Sequence, residues 1–121
     1  MVLRFKKENF KLETLDRISY QLVIMEGAFT VKHLVDVKKV ITEYLDLGIT
    51  NIIFDLKNVE RMDSSAIGMF GNVYKRLNKI SGTLGVLNPS SAVFRVLRET
   101  ALDKVVKLFT TVQSIDDYFE I

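Results

Sequence analysis

The chain has 121 residues, of which 48% are hydrophobic and 26% are charged, a composition typical of one folded domain. It contains no cysteine, which excludes disulfides, thiolate metal sites and a cysteine nucleophile. Seventeen basic residues against fifteen acidic ones give a net charge of +2, which is too small to predict binding to nucleic acid or to an anionic membrane.

The distribution of apolar residues along the chain predicts the compartment, and the lack of linkers and repeats predicts the domain organisation. The sequence has no run of about 18 apolar residues that would predict a transmembrane helix. Its start, MVLRFKKENF, lacks the apolar stretch of a signal peptide. We therefore expect a cytoplasmic protein without membrane insertion. Without linkers or repeats, the chain is expected to form one domain over residues 9–121, with residues 1–8 as a short N-terminal extension.

Two strands are predicted first along the chain. Phe10–Thr14 and Ile18–Met25 alternate apolar and polar residues, the period of a half-buried strand. Asp16 and Arg17 lie between them and predict a tight turn. The two strands should therefore form an antiparallel hairpin at the edge of a sheet, with Ile18, Tyr20, Leu22 and Ile24 on the same face of the second strand.

A helix and a central strand follow. Between Thr30 and Gly48, apolar residues recur every three or four positions, which predicts an amphipathic helix. Thr30 suits its N-cap, and Gly48 suits a left-handed end. Ile49–Leu56 is apolar on both faces, which is typical of a central parallel strand.

The remaining chain continues to alternate between helices and strands. Helical spacing runs up to Ile80 and again after Ser90 or Ser91, and Ser114 with Asp117 predicts a capping box for a last short helix. Thr83–Leu87 and Val105–Thr110 are predicted as strands. The order β-β-α-β-α-β-α-β-α predicts a single α/β domain. Its sheet should be mixed and mostly parallel, with an N-terminal antiparallel hairpin and about four covering helices.

Few residues suggest catalysis or cofactor binding. His33 is the only histidine, so a cluster of histidine metal ligands is excluded, and we expect its side chain to be solvated in the first helical turn. The chain contains neither GxGxxG nor GxxxxGK[ST], so a glycine-rich phosphate loop is not predicted. The sequence indicates no cofactor.

Two carboxylates lie where a parallel sheet often binds ligands. Asp55 is near the carboxyl end of the predicted central strand, and Asp63 is in the loop beyond it. Together they could hold a magnesium ion. Alternatively, Asp55 points into a turn and caps the loop Lys57–Met62.

Ser64 and Ser65 follow at the predicted strand–loop–helix junction. Serine and aspartate both favour helix starts, so one reading is that these residues only cap the helix. The other reading is that their hydroxyls receive a phosphate beside the positive helix end. Gly68 and Gly71, further along the same helix, cost about 1 kcal/mol each relative to alanine. This cost suggests that the helix closely approaches the sheet or a partner.

The segment Ile52–Leu56 followed by Met62–Gly68 (MDSSAIG) resembles the STAS domain family, and the likeness covers nearly the whole chain. The resemblance implies a binding switch without catalysis. In such systems the unphosphorylated antagonist binds an anti-sigma factor that is a GHKL-type serine kinase, and so frees the sigma factor. The kinase phosphorylates the antagonist, and a PP2C-type phosphatase resets it. The phosphoacceptor matches Ser65, with Ser64 as the fallback.

The chain departs from the family pattern at three positions. Thr30 stands where the family often has aspartate, and Ala66 and Ala101 stand where it often has glycine. We expect the partner surface to lie at or beside the carboxyl edge of the sheet and on the exposed side of the following helix. The residues predicted for it are Thr30, His33, Asp63, Ser64, Ser65, Met69, Asn72, Lys75 and Arg76.

Two other functions fit the same sequence. One is a STAS subunit of another assembly, such as a stress-signalling complex or a lipid-transport ATPase. The other is a small α/β hydrolase or phosphotransferase that uses Asp55, Asp63 and Ser65.

Overall fold

The computed structural model describes residues 4–119, which form one six-stranded sheet with four α-helices. Two short 3₁₀ helices, Val31–His33 and Leu102–Lys104, accompany them. The strands are β1 (Arg4–Lys7), β2 (Phe10–Asp16), β3 (Gln21–Phe29), β4 (Asn51–Met62), β5 (Thr83–Leu87) and β6 (Lys107–Phe109). The α-helices are α1 (Leu34–Asp46), α2 (Ser64–Lys79), α3 (Ser91–Glu99) and α4 (Val112–Tyr118).

The strands lie side by side in chain order from β1 to β6. The pairs β1–β2 and β2–β3 are antiparallel, whereas β3–β4, β4–β5 and β5–β6 are parallel. This arrangement confirms the predicted mixed sheet with its antiparallel hairpin and four helices.

The sheet separates two hydrophobic cores, because successive side chains of a strand point to opposite faces. Ile52, Phe54 and Leu56 of β4 belong to the larger core, to which α1, α2 and α3 contribute buried residues. Ile53 belongs to the smaller core, which Ile115 of α4 closes. Burial on both faces explains why the first half of β4 has an almost continuous apolar run.

Strand β1 lies within the residues assigned to the N-terminal extension. It pairs with β2 from Arg4 opposite Glu13 to Lys7 opposite Phe10. The Arg4 Nε atom also lies 2.8 Å from Glu13 Oε2. Residues 4–7 are therefore an edge strand of the sheet.

The predicted second strand was placed too early. Strand β3 begins at Gln21, and Ile18 is 88% exposed in the preceding turn instead of forming part of the strand. The turn forms because the Arg17 N–H donates to the Tyr20 carbonyl at 3.0 Å. At its other end, β3 continues through Gly27, where an added Cβ would collide with the carbonyl of Asn9.

The central strand is longer than predicted, because β4 continues to Met62 through the segment expected to be a loop. Two register shifts against β3 break the simple alternation there, between Ile24 and Glu26 and between Gly27 and Ala28. Asp55 therefore lies in the middle of a strand, not near its carboxyl end.

Most of the predicted helix ends are confirmed, with one correction. Thr30 caps the 3₁₀ helix before α1, Gly48 ends α1 with a φ of 81°, and Ser90 caps α3. The capping box of α4 is formed by Thr111 with Ser114, because α4 begins earlier than predicted. The last strand, β6, is only three residues long.

Candidate functional site

The candidate site lies where β3 and β4 end side by side. Phe29 and Met62 are paired at the carboxyl ends of these two parallel strands. The next residues, Thr30 and Asp63, therefore lie at the same edge of the sheet, and the Asp63 N–H donates to the Phe29 carbonyl at 3.3 Å. This is the edge at which ligands and partners commonly bind α/β sheets.

Asp63 organises this edge. Its Oδ1 accepts a hydrogen bond from the Ala66 N–H at 2.9 Å, as an N-cap of α2, and its Oδ2 accepts one from the Val31 N–H at 2.9 Å. Partial burial alone would raise the pKa of the Asp63 carboxyl. Hydrogen bonds from the backbone N–H groups of Ala66, Val31 and Ser65 nevertheless hold this pKa below its ordinary value of 3.8, and Arg61 acts in the same direction.

Ser64 and Ser65 are the first two residues of α2, after the cap. The N-cap is Asp63, which the sequence also offered as a helix start, and neither serine caps the helix. Ser64 is exposed and Ser65 is half-buried. Within residues 4–119, neither hydroxyl has a hydrogen-bond partner. Both hydroxyls are thus available at the positive end of a long helix.

Two apolar side chains are exposed on the segment that leads from this edge into α1. Val31 is 59% exposed and Val35 is 78% exposed. The bond to Asp63 fixes the backbone of Val31 next to the start of α2. The prediction from sequence missed Val35, although an apolar residue off the buried stripe of a helix is a usable signal for a contact surface.

The prediction that His33 is solvated is wrong. His33 is 2% exposed, and its imidazole stacks on Phe10 with 4.6 Å between the ring centroids. Burial lowers the pKa of His33 below 6.5, and the Glu8 carboxylate opposes this shift. The His33 side chain therefore packs in the core beneath the site and is not part of its surface.

The predicted residues of α2 fall into two groups. Met69 is buried, so its expected exposure is wrong, whereas Asn72, Lys75 and Arg76 are exposed. Arg76 follows Ser64 by twelve residues, or about 18 Å along the helix. The two basic residues therefore lie well away from the carboxyl edge of the sheet.

The two glycines of α2 do not serve a close contact within the domain. An added Cβ at Gly68 or Gly71 would meet no atom within 4 Å outside the helix backbone around it and the neighbouring residues. A close approach of the helix to the sheet is thus excluded as the reason for these glycines.

The carboxylates do not form a metal site. Asp55 Oδ1 accepts a hydrogen bond from the Lys57 N–H at 3.1 Å, but this bond lies within β4, so the loop Lys57–Met62 that Asp55 was expected to cap is a strand instead. Asp55 and Asp63 are separated by eight residues of extended chain, or roughly 25 Å. Among residues 4–119 there is no group of three or more histidine and acidic side chains that could hold a metal ion. The three residues considered for a hydrolase are likewise not brought together.

Over the described range, no helix has both the length and the apolar character needed to cross a bilayer.

Comparison with known proteins identifies the family. The STAS domain family model matches residues 9–115. A Thermotoga neapolitana protein named as a candidate anti-sigma factor antagonist is 35% identical over 75 residues, which are 62% of this chain and 66% of that protein. The match thus spans slightly less than two thirds of that relative's length. The anti-sigma-B factor antagonist of Staphylococcus aureus is 29% identical over 94 residues, which are 78% of this chain and 87% of that protein.

A solved structure agrees with these relatives. The anti-sigma factor antagonist SpoIIAA, in its unphosphorylated form, matches with a TM-score of 0.77 at 25% identity, covering 93% of this chain and 97% of that one. The chain belongs to the STAS domain family, and the relatives that it resembles there are named anti-sigma factor antagonists.

Proposed function

We propose that this protein is a cytoplasmic anti-sigma factor antagonist that acts by binding, without catalysis or a cofactor. Its partner is an anti-sigma factor that is a GHKL-type serine kinase, and binding frees the sigma factor. Phosphorylation of Ser65 ends the binding, with Ser64 as the fallback acceptor. A PP2C-type phosphatase restores the active form.

The observation that carries this proposal is the division of roles at the start of α2. Asp63 caps the helix and binds the Val31 backbone, so the two serine hydroxyls next to it are not needed for the fold. A kinase can therefore modify either hydroxyl without removing a capping interaction. The similarity to SpoIIAA, whose structure is described as that of an unphosphorylated form, supports the same reading.

The physical basis of the switch is local charge. A phosphate on Ser65 adds about 1.5–2 negative charges close to the Asp63 carboxylate. In the free domain, water and the positive helix end stabilise this charge. In a complex the same charge would be desolvated, and burial of an uncompensated charge costs several kcal/mol. Each ~1.4 kcal/mol lowers affinity tenfold, so the complex should dissociate while the domain stays folded.

The proposed partner surface combines apolar and polar groups. In this proposed surface, Val31 and Val35 supply apolar contacts, and Thr30, Asp63 and the serines supply polar ones. Such a combination of apolar and polar contacts is common in protein interfaces. Asn72, Lys75 and Arg76 extend the proposed surface along α2.

The proposal is tested by mixing the protein with the kinase anti-sigma factor of its own organism and ATP, and then measuring the intact mass. We expect the addition of one phosphate to the wild type and to Ser64→Ala, and none to Ser65→Ala. If Ser65→Ala gains a phosphate and Ser64→Ala does not, the phosphoacceptor is Ser64. If the wild type and both variants all remain unmodified, the phosphorylation switch is contradicted.

A second candidate is a STAS subunit of another assembly. It is favoured by Thr30, which lacks the charge that the family often has at this position. Immobilised protein would then retain an ATPase subunit or a stress-signalling component, and not a GHKL-type kinase.

A further inference from the structure

Helices α1 and α2 border a groove that the proposed switch does not explain. This α1–α2 groove has a volume of about 230 Å³. Its floor is apolar and consists of Ile41, Met69 and Val73, which are buried. Its polar rim consists of Lys38, Thr42, Asn72 and Arg76.

The two charged residues that line the α1–α2 groove, Lys38 and Arg76, are both basic. Helix α2 has sixteen residues and none of them is acidic, although it carries Lys75, Arg76 and Lys79. Across the groove, α1 contributes Lys38. This concentration is notable because the net charge of the whole chain is only +2.

Two of the three acidic residues of α1 line a different groove, and the third, Asp46, is the last residue of the helix. Asp36 and Glu43 line a cavity between α1 and β1, together with Lys39. There, Asp36 Oδ2 lies 3.7 Å from Lys7 Nζ. The residues of α1 that line the cavity towards β1 thus carry mixed charge, whereas Lys38 is the charged residue of α1 that lines the α1–α2 groove.

Lys38 and Arg76 have no ion pair within the described part of the chain. Both are exposed at the rim. An apolar floor with unpaired cations on both sides complements a segment that places one apolar side chain between carboxylates. Met69 suits this role at the floor, because its flexible thioether adapts to different apolar groups.

We infer that the α1–α2 groove binds an acidic segment of a protein partner, which inserts an apolar side chain over Met69 and Val73 while its carboxylates pair with Lys38 and Arg76. This inference deepens the proposed function and rests on it only for the identity of that partner. The groove lies along the helix that begins at Ser64, so one protein could contact both the serine edge and the groove. The acidic segment would then contribute attraction that does not depend on the state of Ser65.

The test uses the full-length protein and a short synthetic peptide that repeats glutamate and leucine at helical spacing, with a glutamine-for-glutamate peptide as its control. Binding is followed by NMR chemical shifts and by titration calorimetry. We expect the acidic peptide to shift the signals of Lys38, Met69, Val73 and Arg76, and the neutral peptide to leave them unchanged. Added salt should weaken binding.

Adjacent lysines provide matched variants. Lys38→Glu and Arg76→Glu should each weaken binding of the acidic peptide by roughly fivefold to tenfold, whereas Lys39→Glu, on the β1 side of α1, should leave it unchanged. Equal losses from Lys38→Glu and Lys39→Glu would overturn the inference, as would shifts confined to other residues. Tighter binding of a single-stranded oligonucleotide or of phosphatidylglycerol vesicles at this groove would also overturn it, because the occupant would then not be a protein segment.

The same variants separate this inference from the proposed function. If the kinase anti-sigma factor binds Lys38→Glu as tightly as the wild type, the groove is not part of that complex and the inference fails while the switch stands. If the acidic peptide binds as expected but no kinase anti-sigma factor does, the proposed function fails while the groove stands.

Discussion

The carboxylate of Asp63 accepts a hydrogen bond from the backbone N–H of Val31 at 2.9 Å, although 32 residues separate the two in the chain. The same carboxylate caps α2 through Ala66. One side chain therefore joins the start of α2 to the segment that leads into α1, and this connection determines where the exposed valine lies relative to the serines.

Replacement of Asp63 should destabilise the domain. Asp63→Ala removes both hydrogen bonds and should lower the free energy of unfolding by about 1–2 kcal/mol, measured by urea denaturation. Asp63→Asn keeps an oxygen acceptor and should cost less. Ser64→Ala is the control, because this serine does not cap the helix, and its effect should stay within about 0.5 kcal/mol. A loss from Ser64→Ala equal to that from Asp63→Ala would contradict the assigned cap.

The same residue predicts a pH dependence. The pKa of Asp63 is lowered in the folded state, so its contribution to stability is fully present above the unfolded value of 3.8. It is lost as the pH falls through the lower folded-state pKa. The wild type should therefore lose more stability than Asp63→Asn when it is acidified through this range. Parallel curves for the two proteins would show that the carboxylate makes no such contribution.

His33 predicts a second pH dependence, in a higher range. Its folded-state pKa lies below 6.5 because it is buried against Phe10, although charged groups of Lys7, Glu8, Lys32 and Asp36 also act on it. Between the two pKa values the unfolded chain binds more protons, so stability falls as the pH drops below 6.5. His33→Phe keeps an aromatic ring on Phe10 but cannot be protonated. Urea midpoints at about pH 7.5 and about pH 5.5 should differ less for this variant, and an unchanged difference would refute the assignment.

Two alanines at positions where the family often has glycine should respond oppositely to the same substitution. Ala101 has a left-handed backbone with a φ of 61°, which strains an alanine by about 1–2 kcal/mol. Because glycine also makes the unfolded chain more flexible, Ala101→Gly should stabilise the domain by only about 0.5 kcal/mol. Ala66 is helical within α2, so Ala66→Gly should destabilise it by about 1 kcal/mol. Thermal unfolding of both variants tests the prediction, which fails if the two shifts have the same sign.

The switch predicts a separation of folding from binding. Ser65→Ala should bind the kinase anti-sigma factor as the wild type does, and Ser65→Asp should lose binding while its circular dichroism spectrum stays unchanged. Calorimetric titration with the purified kinase measures the affinity. Tight binding of Ser65→Asp would contradict the proposed switch, provided that the wild type binds under the same conditions.

The sequence predicted the order of the elements from β2 onwards, because its apolar spacing changes clearly between strands and helices, but it missed β1 within the residues assigned to the extension. It also predicted that Thr30 and Asp63 lie at or beside the carboxyl edge of the sheet, although it placed a loop before Asp63 where β4 continues. It could not predict the length of β4, because the shifts in register near Gly27 disturb the alternation. The burial of His33 was also missed, since the ring that covers it comes from Phe10, on a distant strand. Local patterns do not report such long-range contacts.

The two edges of the sheet bear on how the protein behaves at high concentration. An unpaired strand edge can recruit another chain and begin aggregation. At one edge, β1 carries Arg4, Lys6 and Lys7, and their like charges oppose alignment with a second β1. At the other edge, β6 offers only three residues, which include Lys107. The fold thus discourages the growth of an extended intermolecular sheet, even though β2 to β5 are rich in strand-forming residues.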